Sequence, residues 1–237
     1  MTCRFPMPIA AALAAASLTG ALIVGMLGLS ASAAETQAVA PAPAVDEPLA
    51  KTSGSETAIL SGGCFWGMQV VFQHVRGVLE AVSGYTGGDR NTAHYEDVGT
   101  GTTGHAESVE IVFDPHLVSY GTLLRVYFSV ATDPTELDYQ GPDQGSQYRS
   151  EIWPVNGAQR RIAEAYVGQL EAAHLFPAPI VTRIESARPF YRAEAYHQNF
   201  ATLHPHNLYI MTFDAPKVAA LAKLFPGLYA ARPTAMN

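Results

Sequence analysis

A cysteine stands where a strand is expected to turn into a helix. Residues 62–67 read Gly-Gly-Cys-Phe-Trp-Gly, so Cys64 follows two glycines and precedes two large aromatic residues. A helix N-terminus carries partial positive charge and free N–H groups, which favour a thiolate over a thiol. Such a cysteine can act as a nucleophile, with Phe65 and Trp66 lining an apolar slot beside it. A buried structural cysteine among core aromatics would leave the same pattern.

A glutamate shares a strand face with apolar residues. Alternation along residues 107–113 places Glu107 in line with Val109, Ile111 and Phe113. Burial disfavours the charged form of a carboxyl group, so this side chain is expected to hold a proton near neutral pH and to donate it. The alternative is a strand-end glutamate that reaches solvent past the edge of the sheet.

Other polar side chains lie in loops or at their ends. Tyr85 and Tyr148 sit among glycines and polar residues, where a hydroxyl group can point at a bound oxygen. A buried tyrosine with a satisfied hydroxyl is nevertheless the more common outcome. Asp143 can equally serve as a loop cap. His204 and His206 have no further ligands at metal-binding spacing, so we expect no metal site.

The composition limits the class of protein. Against 14 Lys and Arg, the 237 residues include 21 Asp and Glu, for a formal net charge of −7. An acidic chain with scattered basic residues is poorly suited to nucleic acid, which needs a basic face. Hydrophobic residues make up 48% of the chain, which excludes a disordered protein.

The N-terminus has the pattern of an export signal over residues 1–34. Arg4 precedes a long apolar run, and the small residues at 30–34 suit signal-peptide cleavage. We therefore expect export to the periplasm, with a membrane anchor formed by an uncleaved apolar run as the alternative. Removal of the signal would take Cys3 with it and leave Cys64 as the one cysteine of the mature chain.

The rest of the chain divides into a linker and a folded domain. Residues 35–55 are rich in Pro, Ala, Ser and Gly and are predicted to be a disordered linker. Residues 56–237 are predicted to form one domain with a C-terminal tail. Alternating element types imply an α/β or α+β fold with helices packed on a sheet. The pattern predicts strands over 57–61, 78–85, 107–113 and 180–185, and helices over 64–75, 120–131, 156–173, 192–203 and 216–224.

A series of short motifs carries a family resemblance. In chain order they are GCFWG (63–67), SGYTGG (83–88), GHAE (104–107), QYRS (147–150) and AYHQ (195–198). Together they resemble the peptide methionine sulfoxide reductase A family, from about Thr57 to about Pro205. The resemblance implies a two-layer sandwich with a ferredoxin-like core and helices packed on a mixed sheet. It also implies thiol-dependent reduction of the S epimer of methionine sulfoxide, free or in proteins, without a metal or organic cofactor.

The resemblance further implies how the reacting groups are used. Cys64 would attack the sulfoxide sulfur and become a sulfenic acid, while Glu107 would protonate the sulfoxide oxygen. Phe65 and Trp66 would hold the methyl group of the substrate.

The remaining matched positions would bind or support the substrate. Tyr85 and Tyr148 would hydrogen-bond the sulfoxide oxygen, and Asp143 would lie beside the site. Tyr196 and His197 would support the residues that contact the substrate.

The C-terminal segment departs from the family pattern. Many family members have a resolving cysteine there, whereas residues 206–237 contain none. We therefore expect a one-cysteine cycle, in which an external thiol or a thioredoxin-like partner attacks the sulfenic acid. We also expect the enzyme to be a monomer. Its role would be the repair of oxidised proteins outside the cytoplasm.

Two other classes of function remain open. A cysteine-dependent hydrolase would need an imidazole, such as that of His105 or His197, beside the sulfur of Cys64. A non-catalytic module that grips methyl-bearing side chains would need only Phe65 and Trp66.

Overall fold

A six-stranded sheet is the framework that positions the predicted site residues. A computed structural model describes residues 39–234, so the predicted export signal over 1–34 lies outside the described residues. The strands are β1 (Glu56–Gly62), β2 (Val78–Thr86), β3 (Ala106–Phe113), β4 (Tyr139–Gln140), β5 (Asp143–Gln144), β6 (Ser150–Ile152), β7 (Arg183–Ile184) and β8 (Phe190–Arg192). The α-helices are α1 (Phe65–Gln73), α2 (Tyr95–Val98), α3 (Tyr120–Val126), α4 (Gly157–Ala172), α5 (Phe200–Leu203) and α6 (Ala215–Leu224).

The strand order in the main sheet is β7-β6-β1-β3-β2-β8. Neighbouring strands are antiparallel except β6 and β7, which run parallel, so the sheet is mixed. Helix α1 packs on β2 and β3, and α6 packs on α1. The predicted fold class, with helices packed on a mixed sheet, is confirmed.

The turn from β1 into α1 requires glycine. Gly63 has φ +92°, a conformation that side chains disfavour, and a Cβ there would collide with the side chain of Gln140. Cys64 follows with extended backbone angles and forms the N-cap of α1. Every residue of α1 is buried, because the sheet covers one face of the helix and α5 and α6 contact it as well.

The predicted helix over 192–203 is wrong. The chain forms β8, a 3-10 turn over Ala195–His197, and the short helix α5 instead. Asn199 has φ +57°, which interrupts any continuous helix. The side-chain amide of Gln198 bonds the N–H and the carbonyl of Ser83 and the carbonyl of Ala193. These bonds join Gln198 to β2, and such side-chain to backbone bonds compete with helix formation.

The segment predicted as a disordered linker is held against the domain where the structure describes it. Residues 39–55 contain no helix or strand, as the proline content suggests. However, Ala40 is fully buried, and its N–H donates to the hydroxyl oxygen of Ser129. The N–H of Ala50 donates to the carbonyl of Pro115. The linker interpretation considered composition alone, which does not encode these contacts with Ser129 and with the turn residue Pro115.

Asp46 fastens this segment to the start of α3. Its carboxylate accepts hydrogen bonds from the hydroxyl of Ser119 (2.5 Å) and from the N–H of Gly121 (3.0 Å). Both donors lie in the first turn of the helix, where backbone N–H groups lack helical partners.

We expect Asp46→Ala to lower the free energy of unfolding by about 1–2 kcal/mol, because two donors at a helix N-terminus lose their acceptor. Urea unfolding followed by circular dichroism measures this change. The adjacent Glu47 is exposed, so Glu47→Ala is the matched control and should change stability by less than about 0.5 kcal/mol. Equal effects of the two substitutions would show that Asp46 does not hold the segment.

Candidate active site

A carboxyl group lies directly beside the N-terminus of the helix that Cys64 begins. Cys64 is 4% exposed, at the end of β1. The carboxylate Oε2 of Glu107 accepts a hydrogen bond from the backbone N–H of Phe65, with an N to O distance of 2.9 Å. The carboxyl group of Glu107 is therefore hydrogen-bonded to the residue that follows Cys64.

The sheet register places Glu107 at this position. In β3, Ser108 pairs with Ser61 near the end of β1, and Glu107 pairs with Tyr85 in β2. The start of β3 therefore lies alongside the point where β1 turns into α1. Glu107 is 2% exposed, which excludes the alternative in which it reaches solvent past the sheet edge.

The buried Tyr85 and the half-buried Glu194 form a hydrogen-bonded pair next to Glu107. The hydroxyl of Tyr85 donates to Glu194 (2.8 Å), and the N–H of Tyr95 donates to the other carboxylate oxygen (3.0 Å). Burial and the nearby carboxylates of Glu107 and Glu194 raise the pKa of Tyr85, so its hydroxyl stays protonated. Burial works against the ionised form of Glu194, but these two donors, together with its own backbone N–H and His197, outweigh burial and hold the pKa of Glu194 below its ordinary value. In this structure the Tyr85 proton therefore points to Glu194, and donation to a substrate oxygen requires the hydroxyl to rotate.

Arg149 braces the loop that leads into β3. Its guanidinium donates to the carbonyls of Gly104, His105 and Ser146, and it forms a buried ion pair with Glu151 (2.6 Å). Ser146 begins the 3-10 turn that ends at the buried Tyr148. The same side chain therefore ties the turn that carries Tyr148 to the residues just before Glu107.

The predicted aromatic residues pack around His197. Trp66 stacks on Phe200 with ring centroids 3.9 Å apart, and its indole N–H donates to Nδ1 of His197 (3.2 Å). The ring of Phe65 lies 4.9 Å from the same imidazole. The hydrogen bond to His197 thus fixes the orientation of the Trp66 ring. Tyr196 is half exposed, and its ring lies 4.2 Å from the ring of His197.

Neither candidate histidine has an acceptor nitrogen available to activate Cys64. Burial lowers the pKa of His197 to about 4, so its ring is neutral, and Nδ1 accepts the indole N–H of Trp66. In His105, Nδ1 accepts the N–H of Gly88 and Nε2 bonds the carbonyl of Asp89. The acceptor nitrogen of each imidazole is therefore occupied, which argues against the cysteine hydrolase.

A cavity of about 220 Å³ opens beside Cys64. Its lining includes Asp143, Tyr209 and Asp214, but not Glu107 or any of the predicted aromatic residues. The hydroxyl of Tyr209 donates to Asp143. Burial and the negative charges of Cys64, Asp143 and Asp214 raise the pKa of Tyr209, which keeps this hydroxyl protonated.

Sequence reasoning missed Tyr209, Glu194 and Asp214. Glu194 directly precedes the AYHQ motif, and this position next to a motif was the one signal in the sequence that could have indicated it. Tyr209 and Asp214 lie beyond the last of the quoted motifs, so no motif indicated them. Within residues 39–234, no group of three or more His, Cys, Asp or Glu side chains is arranged to hold a metal ion.

Comparison with known proteins gives the family. The sequence model of the family described as "Peptide methionine sulfoxide reductase" matches residues 56–226. The chain belongs to this family. It is 62% identical over 180 residues to peptide methionine sulfoxide reductase MsrA 2 of Mesorhizobium japonicum, covering 76% of this chain and 92% of that relative. A relative of the same name from Synechocystis is 47% identical over 182 residues, covering 76% of this chain and 85% of that relative.

Solved structures of the same family share the fold. Methionine sulfoxide reductase A of Corynebacterium diphtheriae is 33% identical, with a TM-score of 0.55, covering 71% of this chain and 84% of that one. Reduced Mxr1 from Saccharomyces cerevisiae is 26% identical, with a TM-score of 0.55. The match covers 68% of this chain and 94% of that one. The chain is thus an oxidoreductase, a peptide-methionine (S)-S-oxide reductase.

In this reductase an aspartate is buried against the first turn of α1. Asp214 is 1% exposed, and a Cβ at Gly67 would overlap its Oδ1. Burial raises the pKa of Asp214 to about 7; Lys217 opposes the shift and Asp143 adds to it. The helix that carries Cys64 therefore packs on a carboxyl group that titrates near neutral pH.

We expect Asp214 to make the stability of the reductase fall as pH rises from about 4 to 7. The folded state binds the proton of Asp214 more tightly than the unfolded chain does. Proton binding by Asp214 therefore stabilises the fold fully below the ordinary pKa of 3.8, and this stabilisation is lost as the pH rises to about 7. The wild type should lose unfolding free energy between pH 5 and pH 8, and in Asp214→Asn this loss should be smaller by about 1–3 kcal/mol. The expected difference is less than the full pKa shift of Asp214 would give, because neighbouring groups titrate together with it. Asp97→Asn, at an exposed aspartate, is the control. An unchanged pH slope in Asp214→Asn would contradict the burial argument.

Proposed function

We propose that the chain reduces methionine-S-sulfoxide, free and in proteins, by forming a sulfenic acid on Cys64. The observation that carries this proposal is the hydrogen bond between the carboxylate of Glu107 and the N–H of Phe65. It puts an acid next to the thiol and the thiol at a helix N-terminus, where the thiolate is favoured.

In the first step the thiolate sulfur of Cys64 attacks the sulfur of the sulfoxide. Glu107 donates its proton to the sulfoxide oxygen, which makes this oxygen able to leave. The sulfur–oxygen bond of the substrate breaks, and the oxygen passes to Cys64 as a sulfenic acid. Methionine leaves as the thioether, reduced by two electrons, while Cys64 is oxidised by two. Tyr85, beside Glu107 in the sheet, supports the oxygen together with Tyr148.

Recognition of the methyl group falls to Phe65 and Trp66. A methyl group has no polar handle, so an apolar wall of fixed orientation is the appropriate recognition element. The hydrogen bond to His197 and the stacking on Phe200 hold the Trp66 ring in one orientation. Asp143, on the cavity side of Cys64, supports the site through its hydrogen bond with Tyr209.

The second step needs a thiol from outside the chain. Cys64 is the one cysteine within residues 39–234, and it is not in a disulfide. The sequence has just one other, Cys3, which the predicted signal peptide would remove. The reductant is therefore an external thiol or a thioredoxin-like partner.

The cellular role follows from the N-terminal pattern. The chain is exported to the periplasm, or is held at the membrane if the apolar run stays uncleaved, and repairs oxidised proteins there as a monomer. Within residues 39–234, no helix is both long and apolar enough to cross a bilayer. The net charge of −7 argues against nucleic acid as a partner.

We expect one added oxygen atom on Cys64 after a single turnover without thiol. The mature enzyme is mixed with an excess of methionine-S-sulfoxide, and intact-protein and peptide mass spectra are recorded with a sulfenic-acid trap. Added thiol should convert this species to a mixed disulfide. Cys64→Ser, which keeps the size of the side chain but removes the nucleophilic sulfur, should give neither adduct nor methionine. Methionine formation by Cys64→Ser, or an intramolecular disulfide in the wild type, would refute the mechanism.

A further inference from the structure

The buried side chain of Gln198 uses every hydrogen-bonding position of its amide. Its Oε1 accepts the backbone N–H of Ser83 (3.0 Å) and an N–H of the Gln69 amide (3.2 Å). Its Nε2 donates to the carbonyls of Ser83 (2.9 Å) and Ala193 (3.0 Å). A carboxamide has two N–H donors and one oxygen with two lone pairs, so all of its bonding capacity is used within the protein.

Gln69 extends this bonding into α1. Its Nε2 also donates to the carbonyl of Ala81 in β2 (2.9 Å), and its Oε1 accepts the backbone N–H of Asn199 (2.8 Å). Gln69 is 1% exposed and Gln198 is 4% exposed, so water does not compete for these bonds. We call Gln69 and Gln198 the amide clamp, because together they join α1, β2 and residues 193–199.

The segment that the amide clamp holds carries two partners of Trp66. His197 accepts the indole N–H of Trp66 at Nδ1, with an N to N distance of 3.2 Å. The ring of Phe200 stacks on the same indole, with ring centroids 3.9 Å apart. Trp66 itself lies one turn before Gln69 in α1. The amide clamp is therefore adjacent in the chain both to the indole and to the two residues that contact it.

No regular helix connects His197 to Phe200. His197 ends a 3-10 turn, and α5 begins only at Phe200, after Asn199 with φ +57°. The relative positions of His197 and Phe200 therefore depend on side-chain bonds. The amide clamp makes these bonds at Gln198 and Asn199, which are the two residues between them.

We propose that Gln198 is a positioning residue for substrate recognition, which acts through His197 to hold the Trp66 indole in the orientation that accepts a methyl group. The inference rests on the proposed function, because it presupposes that Trp66 forms the wall against the methyl group of the sulfoxide. A displacement of about 1 Å in a positioning group can cost about 100-fold in rate. Loss of the amide clamp should therefore be measurable in the selectivity of the enzyme.

Gln198→Glu is the test variant. Glutamate keeps the size and shape of the side chain but lacks the amide N–H groups that bond the carbonyls of Ser83 and Ala193. A carboxylate in this place would face both carbonyl oxygens without a donor. The segment that carries His197 should then move away from β2.

Gln159→Glu is the matched control, because it makes the same change at another buried amide. Gln159 is 2% exposed, donates to the carbonyl of Thr57 (2.8 Å) and accepts the backbone N–H of Val155 (3.2 Å). These bonds join the start of α4 to β1 and involve neither Trp66 nor its partners. The two variants should lose similar amounts of stability, so any difference between them at the site reports positioning.

Fluorine NMR of the mature enzyme labelled with fluorotryptophan observes the Trp66 ring directly. The chain has two tryptophans, and Trp153→Phe assigns their signals. In Gln198→Glu we expect the Trp66 signal to shift or broaden while the Trp153 signal stays in place. Gln159→Glu should leave the Trp66 signal unchanged.

Kinetics with methionine-S-sulfoxide and its ethyl analogue, ethionine-S-sulfoxide, measure recognition. In Gln198→Glu we expect KM for the methyl substrate to rise about tenfold, and the preference for methyl over ethyl in kcat/KM to fall about fivefold. Sulfenic acid formation at saturating substrate should stay within about threefold of the wild-type rate, because the bond between Glu107 and Phe65 is not part of the amide clamp. Gln159→Glu should change none of these quantities.

A double-variant cycle tests whether Gln198 acts through His197. His197→Phe keeps a buried ring but removes the nitrogen that accepts the indole N–H of Trp66. In this background Gln198→Glu should raise KM by less than about twofold, because the contact through which it acts is already absent. A tenfold rise in both backgrounds would overturn the route through His197.

A folded Gln198→Glu enzyme with the wild-type Trp66 signal, or with the wild-type KM and methyl preference, overturns the proposal. If Gln198→Glu does not fold, Gln69→Met replaces it, since this variant removes the other half of the amide clamp and leaves Gln198 bonded to β2. The Trp66 signal must then move in Gln69→Met, and an unmoved signal is equally decisive against the proposal.

The proposed function fails by a different result. If the wild type forms no sulfenic acid with methionine-S-sulfoxide, the proposed function falls, and this proposal falls with it. If the wild type forms the sulfenic acid and Gln198→Glu keeps the wild-type preference for methyl over ethyl, only the positioning role of Gln198 falls.

Discussion

The hydrogen bond from the N–H of Phe65 to the carboxylate of Glu107 is the contact on which the site depends. It joins the first residue of α1 to the start of β3, and so fixes an acid beside a thiol that lies far from it in the chain. A helix N-terminus can stabilise an anion on either group. The N-terminus of α1 therefore acts on both the thiol of Cys64 and the carboxyl group of Glu107.

The surrounding fold serves to keep these two groups together. The left-handed backbone at Gly63 makes the turn, and the antiparallel register places Tyr85 opposite Glu107. Arg149 ties down the loop ahead of β3 through backbone carbonyls, so the strand begins at a fixed position. On the far side of α1, Asp214 packs where Gly67 leaves room. Cys64 thus has an acid on the side of the sheet and a cavity beside it.

Sequence patterns were sufficient wherever a local rule applied. Two glycines before Cys64 predicted that it stands at the start of a helix, and the alternation around Glu107 predicted a buried carboxyl group on β3. Tyr209 and Asp214 could not be found in this way, because only the packing of the C-terminal helix brings them to Cys64. The predicted helix over 192–203 failed since Gln198 bonds a distant strand, an interaction with no local signature. The tethering of residues 39–50 is likewise a tertiary effect that composition does not encode.

The most direct test of the account is the rate of the first step in Glu107→Gln. Rapid mixing with excess methionine-S-sulfoxide, without thiol, measures sulfenic acid formation in a single turnover. The account predicts a fall of at least about 100-fold at neutral pH, because the amide keeps the shape but cannot give up a proton to the oxygen. Glu110→Gln, on the other face of the same strand, should retain most of the rate. A wild-type rate in Glu107→Gln would contradict the role of the acid beside Cys64.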